Sequence, residues 1–230
     1  AQMLAAGFNY DSTIEITNGT TEIASGRAML NADFYTIEET GAVAQLIKIA
    51  NHTTKTYDLG WGAFKSFRPV FWAEFWPTIN KVHVYEQAFV GDTEKLQDMT
   101  YSTVVKRGNT SPSTVYTATA RTHHIAQEWK RQGWIGGAPP PMNFKYDITY
   151  LADLGVIPQY DTTVVLDGGQ VAAQYSAWGN VNKDILSSAN WSSYMPNTGG
   201  NEALAPLHGQ DVRALMSGDY RLIEIMCRSH

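Results

Sequence analysis

The stretch Ser12-Thr-Ile-Glu-Ile-Thr17, followed by Asn18-Gly19, contains the signal that decides the fold. Apolar and polar residues alternate with a period of two, which is the pattern of a half-buried β-strand. Asn-Gly strongly favours a tight hairpin turn, because both residues tolerate a positive φ. The sequence therefore predicts an antiparallel hairpin near the start of the chain.

Similar strand-like segments follow along the first two thirds of the sequence. They cover residues 22–30, 42–50, 56–59, 81–86, 100–106, 113–121, 144–151 and 162–166. Turn signals separate these short runs, and helical patterns do not alternate with them, which favours an antiparallel sandwich over βαβ units. We expect residues 1–167 to form a mainly β domain, an antiparallel β-sandwich.

A different pattern begins after Asp167-Gly168-Gly169. Helical spacing appears in residues 170–178, 184–191, 203–216 and 220–227. We therefore expect residues 168–230 to form a short C-terminal α-helical appendage. The last run carries Leu222, Ile223, Ile225 and Met226, and little sequence remains beyond it to cover this apolar face.

Composition and charge exclude several classes of protein. The 230 residues are 43% hydrophobic and 17% charged, with a net charge of −5, so the chain can bury a core. No basic block is present, which argues against a nucleic-acid partner. The longest apolar-rich run, from Val70 to Trp76, includes Glu74 and is too short to span a membrane.

Several features favour a secreted protein, placed outside the cell or on its surface. The only cysteine is Cys227, so the chain has no internal disulfide. The start, Ala1-Gln2 without a methionine, fits either removal of a signal peptide or a trimmed chain. Four sequons mark candidate glycosylation sites of a glycoprotein, at Asn18, Asn51, Asn109 and Asn190.

The most distinctive segment is LGWGAFKSFRPVFWAEFWP at residues 59–77. In an extended strand, Trp72, Glu74 and Trp76 share one face, and Phe71 and Phe75 share the other. The strand is then either buried on both sides, or exposes an aromatic row that stacks on sugar rings or contacts another protein. The glycan interpretation assigns ligand binding to four residues, Trp61, Arg68, Trp72 and Trp76. Arg68 is also the expected partner for Glu74.

Candidate catalytic residues are few. His123 and His124 could serve with Glu128 as a metal or acid–base site in a helix, but in a strand the two imidazoles face opposite sides. The strand pattern before them favours hydrogen-bonded structural histidines. No HExxH or Gly-x-Ser-x-Gly motif occurs, so we expect no metal and no cofactor. Whether the chain is an enzyme stays open, with His123, His124 and Glu74 as weak catalytic candidates.

Five stretches resemble, in order, the N-terminal part of large exported bacterial proteins of undefined function. They are FRPVFWAEFWP at 67–77, THH at 122–124, WIGG at 134–137, LADLGVIPQYDTT at 151–163 and YMPNTGG at 194–200. The resemblance implies a β-rich front followed by a longer helical region, such as an α/α-toroid. Because this chain stops at His230, it would be a truncated homologue, a processed fragment or a subunit that completes its helices against another chain.

The functional expectation is an exported, non-catalytic module for recognition or assembly, associated with glycans. Its partner would be a polysaccharide or another protein chain, in a homo-oligomer or a larger parent protein. One alternative is a carbohydrate-active enzyme, or a fragment of one, related to polysaccharide lyases or hydrolases. Another is a structural subunit of a surface layer, filament or virion.

Overall fold

A computed structural model describes residues 2–51, 67–91, 98–187 and 207–228. The chain divides into two compact units, Ala1–Ala138 and Pro139–His230. The observed division follows Ala138, whereas the domain boundary expected from sequence lies between residues 167 and 168. The described strands all lie in the first unit, and the described elements of the second unit are helices.

The first unit consists of two antiparallel sheets, as expected for a mainly β protein. The four-stranded sheet has the order β2-β1-β7-β8, and the five-stranded sheet has the order β3-β4-β5-β6-β9. The strands are β1 Ser12–Asn18, β2 Thr20–Ser25, β3 Tyr35–Thr40, β4 Gln45–Ile49, β5 Phe67–Trp76, β6 Lys81–Val90, β7 Met99–Arg107, β8 Ser113–His123 and β9 Glu128–Ile135.

The inner faces of the two sheets form the core of this unit. Alternate side chains of β6 are buried, and the same alternation appears on β1 and β7. Across the interface, the rings of Phe67 and Tyr101 pack edge to face with their centroids 5.6 Å apart. Burial of each large apolar side chain contributes roughly 1.5–3 kcal/mol, which makes this interface the main source of stability.

A buried ion pair also joins the sheets. Arg107 on β7 donates two hydrogen bonds to the fully buried carboxylate of Glu86 on β6, and Ser12 on β1 donates a third. Gly133 on β9 leaves the space for the guanidinium, since a Cβ there would lie 2.0 Å from Nη1 of Arg107.

Several expected strands are wrong in part or whole. The run at 22–30 is a strand only to Ser25, whose hydroxyl then caps helix α1, Gly26–Asn31, by accepting from the Ala28 amide. Residues 148–153 form helix α2, Ile148–Asp153, capped by Asp147, and residues 162–166 contain no strand. The expected strand at 56–59 lies outside the described residues.

The second unit has its own apolar core. Its longer helices are α3 Gly168–Gly179, α4 Gly209–Ser217 and α5 Tyr220–Arg228. Side chains from all three form one buried cluster, Val171, Trp178, Ala214, Leu222 and Ile225. The expectation that α5 lacks cover within its own chain is therefore wrong, because Leu222 and Ile225 are each 1% exposed.

The junction between α4 and α5 contains a glycine C-cap. Gly218 ends α4 with a φ of 60°, and its carbonyl accepts from the Phe144 amide at 2.8 Å. A Cβ at this position would lie 1.5 Å from the Phe144 carbonyl oxygen, so the site requires glycine. The expected helix at 184–191 is absent from residues 184–187, and the rest of that segment lies outside the described residues.

Candidate functional site

The outer face of the five-stranded sheet is the candidate site. Along β5, Phe71, Ala73 and Phe75 are buried against the other sheet, whereas Trp72, Glu74 and Trp76 are only half-buried. From Phe71 to Trp76, strand β5 is therefore buried on its inner face and partly exposed on its outer face. Of the interpretations that the sequence left open, the one with an aromatic row in reach of solvent fits this burial pattern.

Strand register assembles this face into two rows that run across the sheet. Antiparallel partners point to the same side, and neighbouring strands lie about 4.8 Å apart. In the first row, Lys48, Trp72, Tyr85 and Gln132 are successive partners on β4, β5, β6 and β9. In the second row, the successive partners are Leu46, Glu74, His83 and Trp134.

The indole of Trp72, in the first row, is held in a fixed orientation by side chains next to that row. Its Nε1 donates to Oε1 of Gln87 at 3.0 Å, and Nε2 of Gln87 donates to Oε2 of Glu128 at 2.7 Å. The ammonium of Lys48 lies 5.3 Å from the indole centroid. The hydrogen-bond chain through Gln87 therefore restricts the indole before any ligand arrives.

The second row centres on His83. Its ring stacks on Trp134 with centroids 4.6 Å apart and planes 13° from parallel. Nδ1 of His83 lies 3.5 Å from Oε2 of Glu74, and the ring also contacts Tyr85, with 4.6 Å between centroids. Glu74 thus has His83 as its neighbour. Arg68, the expected partner, lies six residues away on the same strand, about 20 Å along it.

The sequence identified part of this face. Trp72 and Trp76 share it with Glu74, as expected from the alternation, and Arg68 lies on the same side of β5, whereas Trp61 lies outside the described residues. Nε1 of Trp76 is buried and has no hydrogen-bond partner among the described residues. Sequence reasoning missed the contributions of Tyr85 and Trp134. Only the alternation within residues 128–135 could have indicated β9 and hence Trp134.

His123 is buried in the first unit, at the end of β8. Nδ1 lies 2.7 Å from the Tyr101 hydroxyl, which also accepts from Nε1 of Trp129 at 2.7 Å. Nε2 lies 2.8 Å from the carbonyl of Gln127. Since this carbonyl can only accept, Nε2 carries the proton and Nδ1 accepts from Tyr101. Burial lowers the pKa of His123, which favours the neutral ring.

The other histidine candidate lies in an exposed position. Nδ1 of His124 is 2.7 Å from Oδ2 of Asp98, whose other oxygen accepts from the Ile125 amide. The hydrogen bond from His124 lowers the pKa of Asp98. His123 is fully buried, His124 is exposed, and Glu74 lies on the outer face of the other sheet. These three catalytic candidates do not converge.

Two pockets, one in each unit, are lined by none of the predicted site residues among the described residues. One of about 500 Å³ lies in the first unit, beside Leu30, Tyr35, Ile37 and Phe75. One of about 810 Å³ lies in the second unit, beside Lys145, Asp147, Val164 and Asp219. Across the described ranges, no group of three or more His, Cys, Asp or Glu residues could hold a metal ion.

The candidate glycosylation residues occupy different environments. Asn18, in the β1–β2 hairpin, and Asn109, after β7, are exposed, whereas Asn51 is half-buried. Asn190 lies outside the described residues. Hairpin ends such as those of Asn18 and Asn109 leave the space that a glycan needs.

No protein-family model matches the chain, and no curated protein or solved structure matches it. Among the helices in the described part of the chain, none has the length and apolar character needed to cross a membrane.

Proposed function

We propose that this chain is an exported, non-catalytic recognition module that binds a polysaccharide on the outer face of its five-stranded sheet. The observation that carries the proposal is the in-register arrangement of this face. Trp72 and Tyr85 are direct cross-strand partners, and the stacked pair His83 and Trp134 occupies the next row. Four rings from three strands thus form one aromatic surface, the ring platform.

The chemistry of a pyranose ring suits the ring platform. A sugar presents C–H groups on its faces and hydroxyl groups around its rim. The rings supply apolar contact area, while Gln132, Glu74 and Gln87 lie beside them as hydrogen-bonding groups. Binding that combines aromatic contact with a few polar groups is typical of small-molecule and saccharide sites.

Pre-organisation also supports binding at this face. The indole of Trp72 is already fixed through Gln87 and Glu128, and His83 is held between Trp134 and Tyr85. Side chains that are ordered before binding lose less conformational entropy when a ligand arrives. Because the platform stands on paired strands rather than loops, its rings keep a constant spacing.

The non-catalytic part of the proposal rests on the separation of the catalytic candidates. His123 has both ring nitrogens engaged inside the core, and His124 is paired with Asp98 at the surface. Neither lies on the outer face of the five-stranded sheet with Glu74. A site for acid–base chemistry requires its groups within hydrogen-bond reach of one substrate position.

An array of immobilised polysaccharides tests the proposal. The wild-type chain should bind at least one glycan, and Trp72→Ala should lose most of that signal. Tyr116→Ala is the matched control, because Tyr116 is a half-buried aromatic residue of β8 in the other sheet. Equal loss in both variants, or no glycan bound by the wild type, would contradict the proposal.

A further inference from the structure

The ring platform has a positive charge on each side of its central pair. Trp72 and Tyr85 form this pair, as direct partners on β5 and β6. The ammonium of Lys48, on the β4 side, lies 5.3 Å from the indole centroid of Trp72. The ammonium of Lys130, on the β9 side, lies 5.8 Å from the ring centroid of Tyr85.

Neither ammonium is neutralised by a neighbouring acid in the described part of the chain. No described carboxylate lies within ion-pair distance of Lys48 or Lys130. The nearby acids on the same face have other neighbours, since Glu74 lies beside His83 and Glu128 accepts from Gln87. Among the described residues, the ammonium groups of Lys48 and Lys130 therefore contact aromatic rings.

Other lysines in the same unit engage oxygen atoms. Nζ of Lys106 lies 2.5 Å from Oε1 of Glu15, and Nζ of Lys81 donates to the carbonyls of Gly137 and Ala138. Of the four lysines that the structure describes in this unit, these two therefore contact oxygen. Lys48 and Lys130 differ from this arrangement, and both do so at the ring platform.

The positions of the two lysines define a direction for the ligand. β4 and β9 are separated by two strands, β5 and β6, so their backbones lie about 14 Å apart across the sheet. An extended chain of sugars that crosses the strands over Trp72 and Tyr85 would pass both ammonium groups. Negative substituents on its sugars would then meet a positive charge at each end of the aromatic pair.

We propose that the ligand of this face is an anionic polysaccharide, whose carboxylate or sulfate groups pair with Lys48 and Lys130. This inference rests on the proposed function and adds the chemical class of the glycan. Charge-assisted hydrogen bonds from an ammonium to such groups are stronger than neutral ones. The partly buried rings beneath the ammonium groups lower the local dielectric and strengthen the attraction further.

Calorimetric titrations with three polysaccharides test the inference: a polyuronate, a sulfated glucan and an uncharged glucan, each at low and high salt. At least one polyanion should bind about tenfold more tightly than the uncharged glucan, and its affinity should fall as salt rises. The double variant Lys48→Gln/Lys130→Gln should lose about tenfold in affinity for that polyanion. Whether the polyuronate or the sulfated glucan binds more tightly identifies the acidic group.

Two controls separate specific binding from general attraction of polyanions. Lys106→Gln removes a lysine from the other sheet and should leave the affinity unchanged, whereas Trp72→Ala should weaken it. Binding of the uncharged glucan that depends on Trp72 but not on the two lysines would overturn this inference and leave the proposed function standing. Failure of all three glycans to bind would overturn both.

Discussion

Arg107 on the four-stranded sheet and Glu86 on the five-stranded sheet form a bidentate pair, with two hydrogen bonds of 2.7 Å each. The Glu86 side chain is fully buried, and that of Arg107 is 12% exposed. The pair therefore fixes one sheet against the other inside the core. Its position explains why an acidic residue occupies an inward position of β6.

Glu86→Gln should destabilise the chain, because it leaves the guanidinium of Arg107 buried without its counter-charge. Breaking a buried pair by removing one partner costs about 3–5 kcal/mol. Urea unfolding followed by fluorescence measures this change. Glu15→Gln, which breaks the more exposed pair with Lys106, is the control and should cost less than about 1 kcal/mol. Equal stability of Glu86→Gln and wild type would contradict the role given to the pair.

Gly133→Ala should also destabilise the chain, because the new methyl group would displace the guanidinium of Arg107. Overpacking of this kind costs about 1–3 kcal/mol. The cost should be smaller in a Glu86→Gln background, where Arg107 is no longer held, so the two substitutions should couple in a double-mutant cycle. Gly179→Ala, which has open space around its Cβ, is the matched control. Additive effects would show that Gly133 does not act through Arg107.

His123 should make stability depend on pH. Its folded pKa is lowered from the ordinary value of 6.5 by burial, so below pH 6.5 the unfolded chain binds a proton that the folded chain does not. The free energy of unfolding should then fall with decreasing pH, by at most about 1.4 kcal/mol per pH unit. This contribution is fully present above pH 6.5 and is lost as pH falls towards the folded pKa.

Comparison of two glutamine variants isolates this contribution. His123→Gln removes the titration and can still donate to the Gln127 carbonyl, so its free energy of unfolding should vary less between pH 7 and pH 5 than that of wild type. His124→Gln, at the exposed neighbouring position, should retain most of the pH dependence that His123 causes, because burial is the main cause of the lowered pKa of His123 and His124 contributes less. The same pH dependence in wild type and His123→Gln would rule out His123 as its source.

Gln87→Leu should weaken glycan binding without large loss of stability. Gln87 holds the indole of Trp72 through its hydrogen bond and lies on the outer face, half-buried. Loss of one such bond costs about 1 kcal/mol, or roughly fivefold in affinity. Calorimetry gives the affinity, and thermal unfolding checks the fold. An affinity equal to that of wild type would show that the orientation of the indole does not limit binding.

Much of the sheet structure could be predicted from local sequence patterns. The alternation in β1 and β6 and the turn signal at Asn18-Gly19 led directly to strands and a hairpin, because one face of each strand is buried. The expected strand at 144–151 is wrong, because residues 148–153 form a helix although this run is rich in β-branched and aromatic residues. Here the Asp147 cap decides for a helix instead. The local strand preference of these residues is therefore outweighed by the helix cap and by packing in the second unit.

The candidate site was only half predictable for a different reason. Periodicity along β5 placed Trp72, Glu74 and Trp76 on one face. It gave no indication that His83 and Trp134 would join them. Those neighbours come from register between strands that are far apart in sequence, and register depends on the whole sheet. The same limit led to the choice of Arg68 rather than His83 as the neighbour of Glu74.

Glycan binding at the ring platform can be observed residue by residue in a two-dimensional ¹H–¹⁵N spectrum of the tryptophan indoles, recorded while the best glycan from the array is titrated. The indole signals of Trp72, Trp76 and Trp134, on the outer face, should shift in step with binding. Those of Trp129 and Trp178, each 3% exposed in the cores of the two units, should stay unchanged. Saturating glycan that leaves Trp72 and Trp134 unshifted would contradict the account.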